Sequence, residues 1–152
     1  MTGAHIDYAA LYRQLPIPVL VLTPEFAVAD ANVAFLRSAG RTREELLGRN
    51  LFDAFPEDPS DPEATGVRNS VASLRRVVAT GEPDVIEFQK YDVETAGGEG
   101  LWARRYWSGV NAPVFGPDGS IVLIAHVGED VTDRVRRFMA VLEAGAEGDG
   151  HA

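Results

Sequence analysis

Between Ile121 and Val127 both alternations of the chain are apolar: Ile121, Leu123, Ala125 and Val127 on one, Val122, Ile124 and, as the polar exception, His126 on the other. Successive side chains of a strand point to opposite faces, so a strand with one wet face should alternate apolar with polar. This one does not, and it must be covered on both sides. The helices between the two hairpins can cover one face, and the other needs a terminal helix or a second subunit.

The segments around it set out the candidates. Asp84 to Val93, Leu101 to Phe115 and Ser120 to Asp130 are rich in Val, Ile, Phe, Tyr and Trp, and Gly97-Gly98-Glu99-Gly100 and Gly116-Pro117-Asp118-Gly119 separate them. They read as an antiparallel meander of three strands. Earlier, Val19 to Thr23 and Phe26 to Ala29 flank Pro24-Glu25 as a hairpin. Helices fill the remainder. Tyr8, Leu11, Tyr12 and Leu15 share one face until Pro16 and Pro18 intervene. Asn32 can cap a helix carrying Phe35 and Leu36 that ends at Gly40, and Thr42 stands three residues before Glu45 in capping-box spacing. Val71, Leu74 and Val78 mark a longer helix from Val67, closed by Gly81 and Pro83. Val131, Val135, Phe138 and Leu142 form a short heptad seam on a final helix, and the glycine-rich tail from Gly145 to Ala152 should fray.

Composition narrows the function. With 152 residues, 14 basic against 23 acidic and a net charge of −9, one acidic domain is expected, with neither nucleic acid nor membrane as partner. The chain has no cysteine, which removes disulfides, thiolate metal sites and any cysteine nucleophile. Its apolar runs fall far short of the ~20 residues of a membrane span, and no secretory signal opens it, so a cytoplasmic protein is expected. The proline-broken acidic stretch Asp53 to Thr65 lacks the ligand alternation and central glycine of a calcium loop and reads as a solvated loop. His5 and His151 lie near the ends, and neither a nucleophile elbow nor a phosphate-binding glycine loop occurs; no catalysis and no metal site are expected.

The order strand, strand, short helices, longer helix, three strands and exit helix resembles the PAS sensor family over residues 11–137. The residues that carry the likeness are Asp30-Ala31-Asn32 with Phe35-Leu36, the run from Gly40 to Arg49, and Asp130-Val131-Thr132 closing the last strand. Phrases such as Asn50 to Pro56, Gln89 to Val93, Arg105 to Val114 and His126 to Thr132 are most similar to PAS domains of bacterial hybrid histidine kinases and related multidomain signalling phosphatases. The resemblance implies an α+β fold: a five-stranded antiparallel sheet with helices packed on one face and flanking terminal helices. It divides the chain into a flanking helix at 1–15, a core at 16–131, an exit helix at 132–144 and a disordered tail at 145–152.

The same resemblance implies a cavity between sheet and helices. From the last strand His126, Ile124 and Gly128 would face it; by the register assumed for the long strand, so would Tyr106, Ser108, Val110 and Ala112, with Ile86 and Phe88 beside them. Phe35, Phe55, Val71, Leu74 and Val78 would close the opposite wall, and Trp107 and Asn111 would turn outward. Asp130 and Thr132 would relay signals into the exit helix. Covalent flavin chemistry is excluded with the cysteine, and haem is not expected because the long helix lacks a histidine; the cofactor is left unnamed. The expected function is a non-catalytic sensor of a small, mostly apolar ligand, forming a homodimer and acting on a downstream effector of kinase or phosphatase type. The alternatives are a ligand-free dimerisation module and a cone-shaped enzyme of the ketosteroid-isomerase kind, for which the assumed register supplies no inward carboxylate. A seam that stops so soon resembles the edge of an excised input domain.

Overall fold

The computed structural model describes residues 3–95 and 100–148. Helix α1 (Tyr8–Gln14) leads into strands β1 (Val19–Leu22) and β2 (Val28–Ala31). Three short helices follow, α2 (Val33–Ala39), α3 (Arg43–Leu46) and α4 (Leu51–Ala54), then the long α5 (Gly66–Thr80). The second half comprises β3 (Asp84–Lys90), the two-residue β4 (Val93–Glu94) and β5 (Trp102–Ala103), β6 (Tyr106–Phe115), β7 (Ile121–Asp130) and α6 (Thr132–Gly148). Five strands form one antiparallel sheet in the order β2-β1-β7-β6-β3, and β4 pairs with β5 as a small separate ribbon. The fold is therefore the α+β architecture expected. The first glycine turn of the meander falls mostly on 96–99, outside the described residues.

Local signals place the helices. Asn32, Thr42 and Asn50 each accept a hydrogen bond from a backbone N–H of the first turn, and Thr42 with Glu45 completes a capping box. Gly40 and Gly81 close α2 and α5 in the left-handed conformation that a side chain disfavours. Two expectations need adjusting. Phe26 lies in the turn with φ of 72°, packed edge-on against Phe52, so β2 begins two residues later than the sequence suggests. And α6 continues through Gly148, past the point where the tail was expected to fray.

Leu20, Leu22, Val28, Leu46, Leu74, Val77 and Ile124 make the core between the sheet and α2 to α5. Only one face of β7 receives that cover. On the other, Leu123, Ala125 and Val127 are half-buried, and across the sheet Val85 and Phe88 are 61% and 54% exposed. The double cover demanded by β7 is thus half supplied among the described residues.

Two bulges decide which side chains face the core. Near its turn β6 pairs Phe115 with Ile121, a register that, if continued, would set Val110 opposite His126. A bulge between Val114 and Phe115 shifts the register by one, and Asn111 takes that place. A one-residue slip turns every following side chain to the opposite face. The expected orientation of β6 is therefore reversed: Tyr106, Ser108, Val110 and Ala112 lie on the outer face, and Trp107, Gly109 and Asn111 on the inner. A second irregularity between Ile86 and Gln89 keeps Ile86 inside but replaces Phe88 with Gln89. Phe88 stacks instead on outer-face Tyr106, with ring centroids 5.1 Å apart.

Candidate functional site

The inner face carries one polar row across three strands, because Asp84 of β3 pairs with Asn111 of β6, and Asn111 with His126 of β7. The row ends at Leu20, the β1 partner of His126. Helix α5 lies over it. The Asn111 amide donates from Nδ2 to Ser73 Oγ at 2.9 Å, and Asn111 Oδ1 lies 2.7 Å from His126 Nδ1. Arg76 grips Asp84 with two bonds of 3.0 and 2.8 Å. Hydrogen bonds from the Arg76 guanidinium first, and the Ser73 hydroxyl second, hold the Asp84 carboxyl below its usual range.

Burial puts these groups under tight constraint. Asn111 and Ser73 are 2% and 0% exposed, so each buried amide or hydroxyl group must find a partner within the protein. The His126 ring is surrounded deeply enough that burial alone lowers its pKa to about 4, yet it keeps some accessible surface. Its Nε2 makes no hydrogen bond to another described residue and keeps some accessible surface. Gly128 makes room for the ring: a Cβ there would come within 2.8 Å of Nε2. Gly128 is paired with Gly109, so the strip of inner sheet beyond the imidazole bears no side chains.

A second polar bridge spans β3 and the start of α5. Buried Gln89 accepts from Asn69 Nδ2 at 2.7 Å and donates to Thr65 Oγ1 and the Lys90 carbonyl. Trp107, now inward, donates to the Tyr91 carbonyl. The acidic loop after α4 is not an open ligand cage, since Lys90 Nζ already sits 2.9 Å from Asp61 and 3.1 Å from Asp92.

Of the residues expected at the cavity, His126, Ile124, Phe35, Phe55, Ile86 and Leu74 belong to the inner side; Val71 is half-buried on α5. Val78 is not in that wall: it is 41% exposed, and Val77, fully buried, takes the position. Ser73, Asp84 and Gln89 escaped the sequence reading, and Asn111, expected to turn outward, faces inward. The signal was present, because Asn111 interrupts an apolar strand, and Asn69, Ser73 and Arg76 recur at helical spacing.

The exit junction matches its expected composition. Asp130 Oδ1 accepts from both the Thr132 N–H and its hydroxyl, and Thr132 Oγ1 accepts in turn from the Tyr106 N–H at 3.0 Å. The Val131 N–H donates to the Tyr106 carbonyl at 2.8 Å, and Arg105 approaches Asp130 at 3.6 Å. Thr132 is 4% exposed, whereas Phe138 and Leu142 further along α6 are 63% and 52% exposed.

The histidine gives a pH prediction. In the unfolded chain it titrates near its ordinary ~6.5, and in the fold near 4. Between those values the unfolded state binds the extra proton, so stability falls as the pH drops from 6.5 toward 4, by up to about 3 kcal/mol. Denaturant melts across this window should show the loss, and His126→Gln should flatten it. An equally steep wild-type and variant profile would contradict the burial.

The family model described as the PAS fold matches residues 12–136. A blue-light-activated histidine kinase of Rhizobium johnstonii is 31% identical over 137 residues, covering 88% of this chain and 35% of its own length. Blue-light-activated histidine kinase 1 of Erythrobacter litoralis is 26% identical over 113 residues, covering 74% of this chain and 27% of its own. The chain thus spans about a third or less of the curated relatives it matches. The crystal structure of a PAS domain from Colwellia psychrerythraea superposes with a TM-score of 0.63 at 12% identity, covering 84% of this chain and 96% of that one.

Proposed function

This chain belongs to the PAS fold family, and from that premise we propose that it is the sensory, non-catalytic input module of a larger signalling protein of histidine-kinase type. A small, mostly apolar ligand beside His126 changes the curvature of the sheet, and the junction after β7 passes that change to α6. The observation that carries this reading is the double attachment of Thr132, to Asp130 at the end of β7 and to Tyr106 at the start of β6. The base of α6 must follow any relative movement of these two strands. Beyond that first turn the helix is free to turn with its base.

The outer sheet face completes the proposal. Val21, Val110, Ala112, Ala125 and Val127 are only half-buried there, and the α6 seam is exposed from Phe138 onward. A second copy of the chain, packed face to face, supplies the missing cover for β7 and a partner for the seam. The effector is then the remaining two thirds of a relative-like protein.

Blue-light chemistry does not come across from the relatives' names. The chain lacks the cysteine for a flavin adduct. A flavin's polar ring edge also needs several free amides, and here Gln89 and Asn111 spend their groups on Asn69, Thr65, Lys90, Ser73 and His126. The tightly filled β1 side of the core, with Leu20, Leu22 and Ile124 at 0% exposure, favours the second reading, a module that pairs chains without a ligand.

Native mass spectrometry of the purified chain reports subunit number and bound small molecules together. A dimer abolished by Val110→Asp is expected, and a monomeric wild type at micromolar concentration would remove the proposed interface. For the relay, Thr132→Val should speed amide exchange in the first two turns of α6 at least about tenfold while β6 and β7 stay protected. Unchanged exchange would mean that the junction does not hold the helix.

A further inference from the structure

The acidic segment from Pro56 to Ala64 is a strap held to the fold by side chains. Pro56, Pro59 and Pro62 have no N–H to give. Among the described residues its backbone bonds only within itself, Asp61 to the Asp58 carbonyl and Ala64 to the Asp61 carbonyl. Glu57 accepts from the Val67 N–H at 3.2 Å. The other three anchors come from three consecutive residues at the end of β3 and just past it. Tyr91 donates its hydroxyl to the Phe55 carbonyl, Lys90 Nζ sits 2.9 Å from Asp61, and Gln89 Nε2 donates to Thr65 Oγ1 at 3.2 Å. The Tyr91 ring lies so close on Gly66, where α5 begins, that a Cβ there would come within 2.3 Å of it.

The same tripeptide is bound on its other side to the strand that holds α6. The Tyr91 N–H donates to the Arg105 carbonyl and the Trp107 indole donates to the Tyr91 carbonyl, both at 3.0 Å. Lys90 pairs with Tyr106, whose own N–H and carbonyl are taken by Thr132 and Val131. Lys90 also reaches Asp92 at 3.1 Å, and Asp92 accepts from the Arg105 N–H at 3.3 Å. The irregularity between Ile86 and Gln89 interrupts the ladder of β3, so the strap on one side and β6 on the other position this tripeptide.

We propose that Gln89-Lys90-Tyr91 is a clasp that makes the acidic strap a second input to α6: a fastened strap holds the tripeptide against Tyr106, and a released strap loosens the base of the exit helix. The coupling runs through contiguous hydrogen bonds at the edge of the sheet and needs no ligand beside His126. It rests on the reading of Thr132 as the relay into α6. Lys90 and Tyr91 are positioning residues in this device.

The test is residue-resolved amide hydrogen exchange on the whole chain carrying Asp61→Ala or Gly66→Ala, two changes on the strap side that lie outside β6 and α6. The Val67 amide reports the strap, the Tyr106, Val131 and Val135 amides report the junction, and the β1 amides report global stability. Both variants should speed exchange at Val67 and at the three junction amides about threefold to tenfold, the worth of one net hydrogen bond, with β1 unchanged. Faster exchange at Val67 with an unchanged junction would overturn the proposal, because the strap would open without being felt at α6. An equal rise in β1, which is lost stability alone, or no change at any reporter would overturn it as well. Thr132→Val separates this failure from that of the relay. If Thr132→Val leaves α6 unchanged, the relay falls and this input with it; if it loosens α6 while Asp61→Ala leaves the junction unmoved, only the strap input falls. Should Gly66→Ala fail to fold, Asp61→Ala alone decides.

Discussion

Replacing Asn32 with alanine is expected to cost about 4 kcal/mol of folding stability, since a buried polar group left without a partner costs ~1–3 kcal/mol. The residue is 0% exposed and uses its whole side chain. Oδ1 accepts from the Val19 N–H at 2.9 Å and the Phe35 N–H at 3.0 Å; Nδ2 donates to the Ile17 carbonyl at 2.9 Å and the Tyr12 carbonyl at 3.3 Å. One amide therefore fastens α1, the proline linker, β1 and α2 together. Asn32→Asp separates this role from simple capping. Aspartate caps helices as well as asparagine does, but here it would aim a carboxylate at two carbonyls. It should be at least as damaging as alanine, measured by denaturant unfolding. If Asn32→Asp were nearly neutral, the residue would be a helix cap and no more.

Leu20→Ala should be nearly as severe, at about 3–5 kcal/mol, the range for leucine truncation in a rigid core. At ~2–4 °C per kcal/mol for a chain of this size, Tm would fall by roughly 6–20 °C. Leu20 is fully buried and sits in the central part of the sheet, opposite Ala31 on one side and His126 on the other. Its removal opens space next to the imidazole. A loss under about 1 kcal/mol would mean that the β1 side of the site is already hollow rather than packed, which would enlarge the room for a ligand. The measurement thus bears on both the core and the choice between the two functional readings.

Much of the fold was legible because its signals are local. Asn32, Thr42 and Glu45 start helices, Gly40 and Gly81 end them, and Pro16 with Pro18 stops α1, all by interactions within a few residues. The Asp130-Val131-Thr132 junction was legible for the same reason, since two of its bonds join residues two apart. His126 was found as the polar exception in an apolar strand, and its inward position agrees. The rest of the site was not found, because its partners lie far apart in the chain: Ser73 and Asn111 are 38 residues apart.

What the sequence determined by itself was the set of elements, their order and their ends, together with the demand that β7 be covered twice, because caps, breakers and alternation act over a turn or a few residues. Tertiary structure alone decided which alternation of β6 and β3 faces inward. A bulge places one extra residue in one strand according to how the whole sheet twists and packs; one such irregularity in the β6–β7 pairing exchanged Val110 for Asn111, and a second in the β3–β6 pairing exchanged Phe88 for Gln89. The polar chain that orients His126 exists only because of the first exchange.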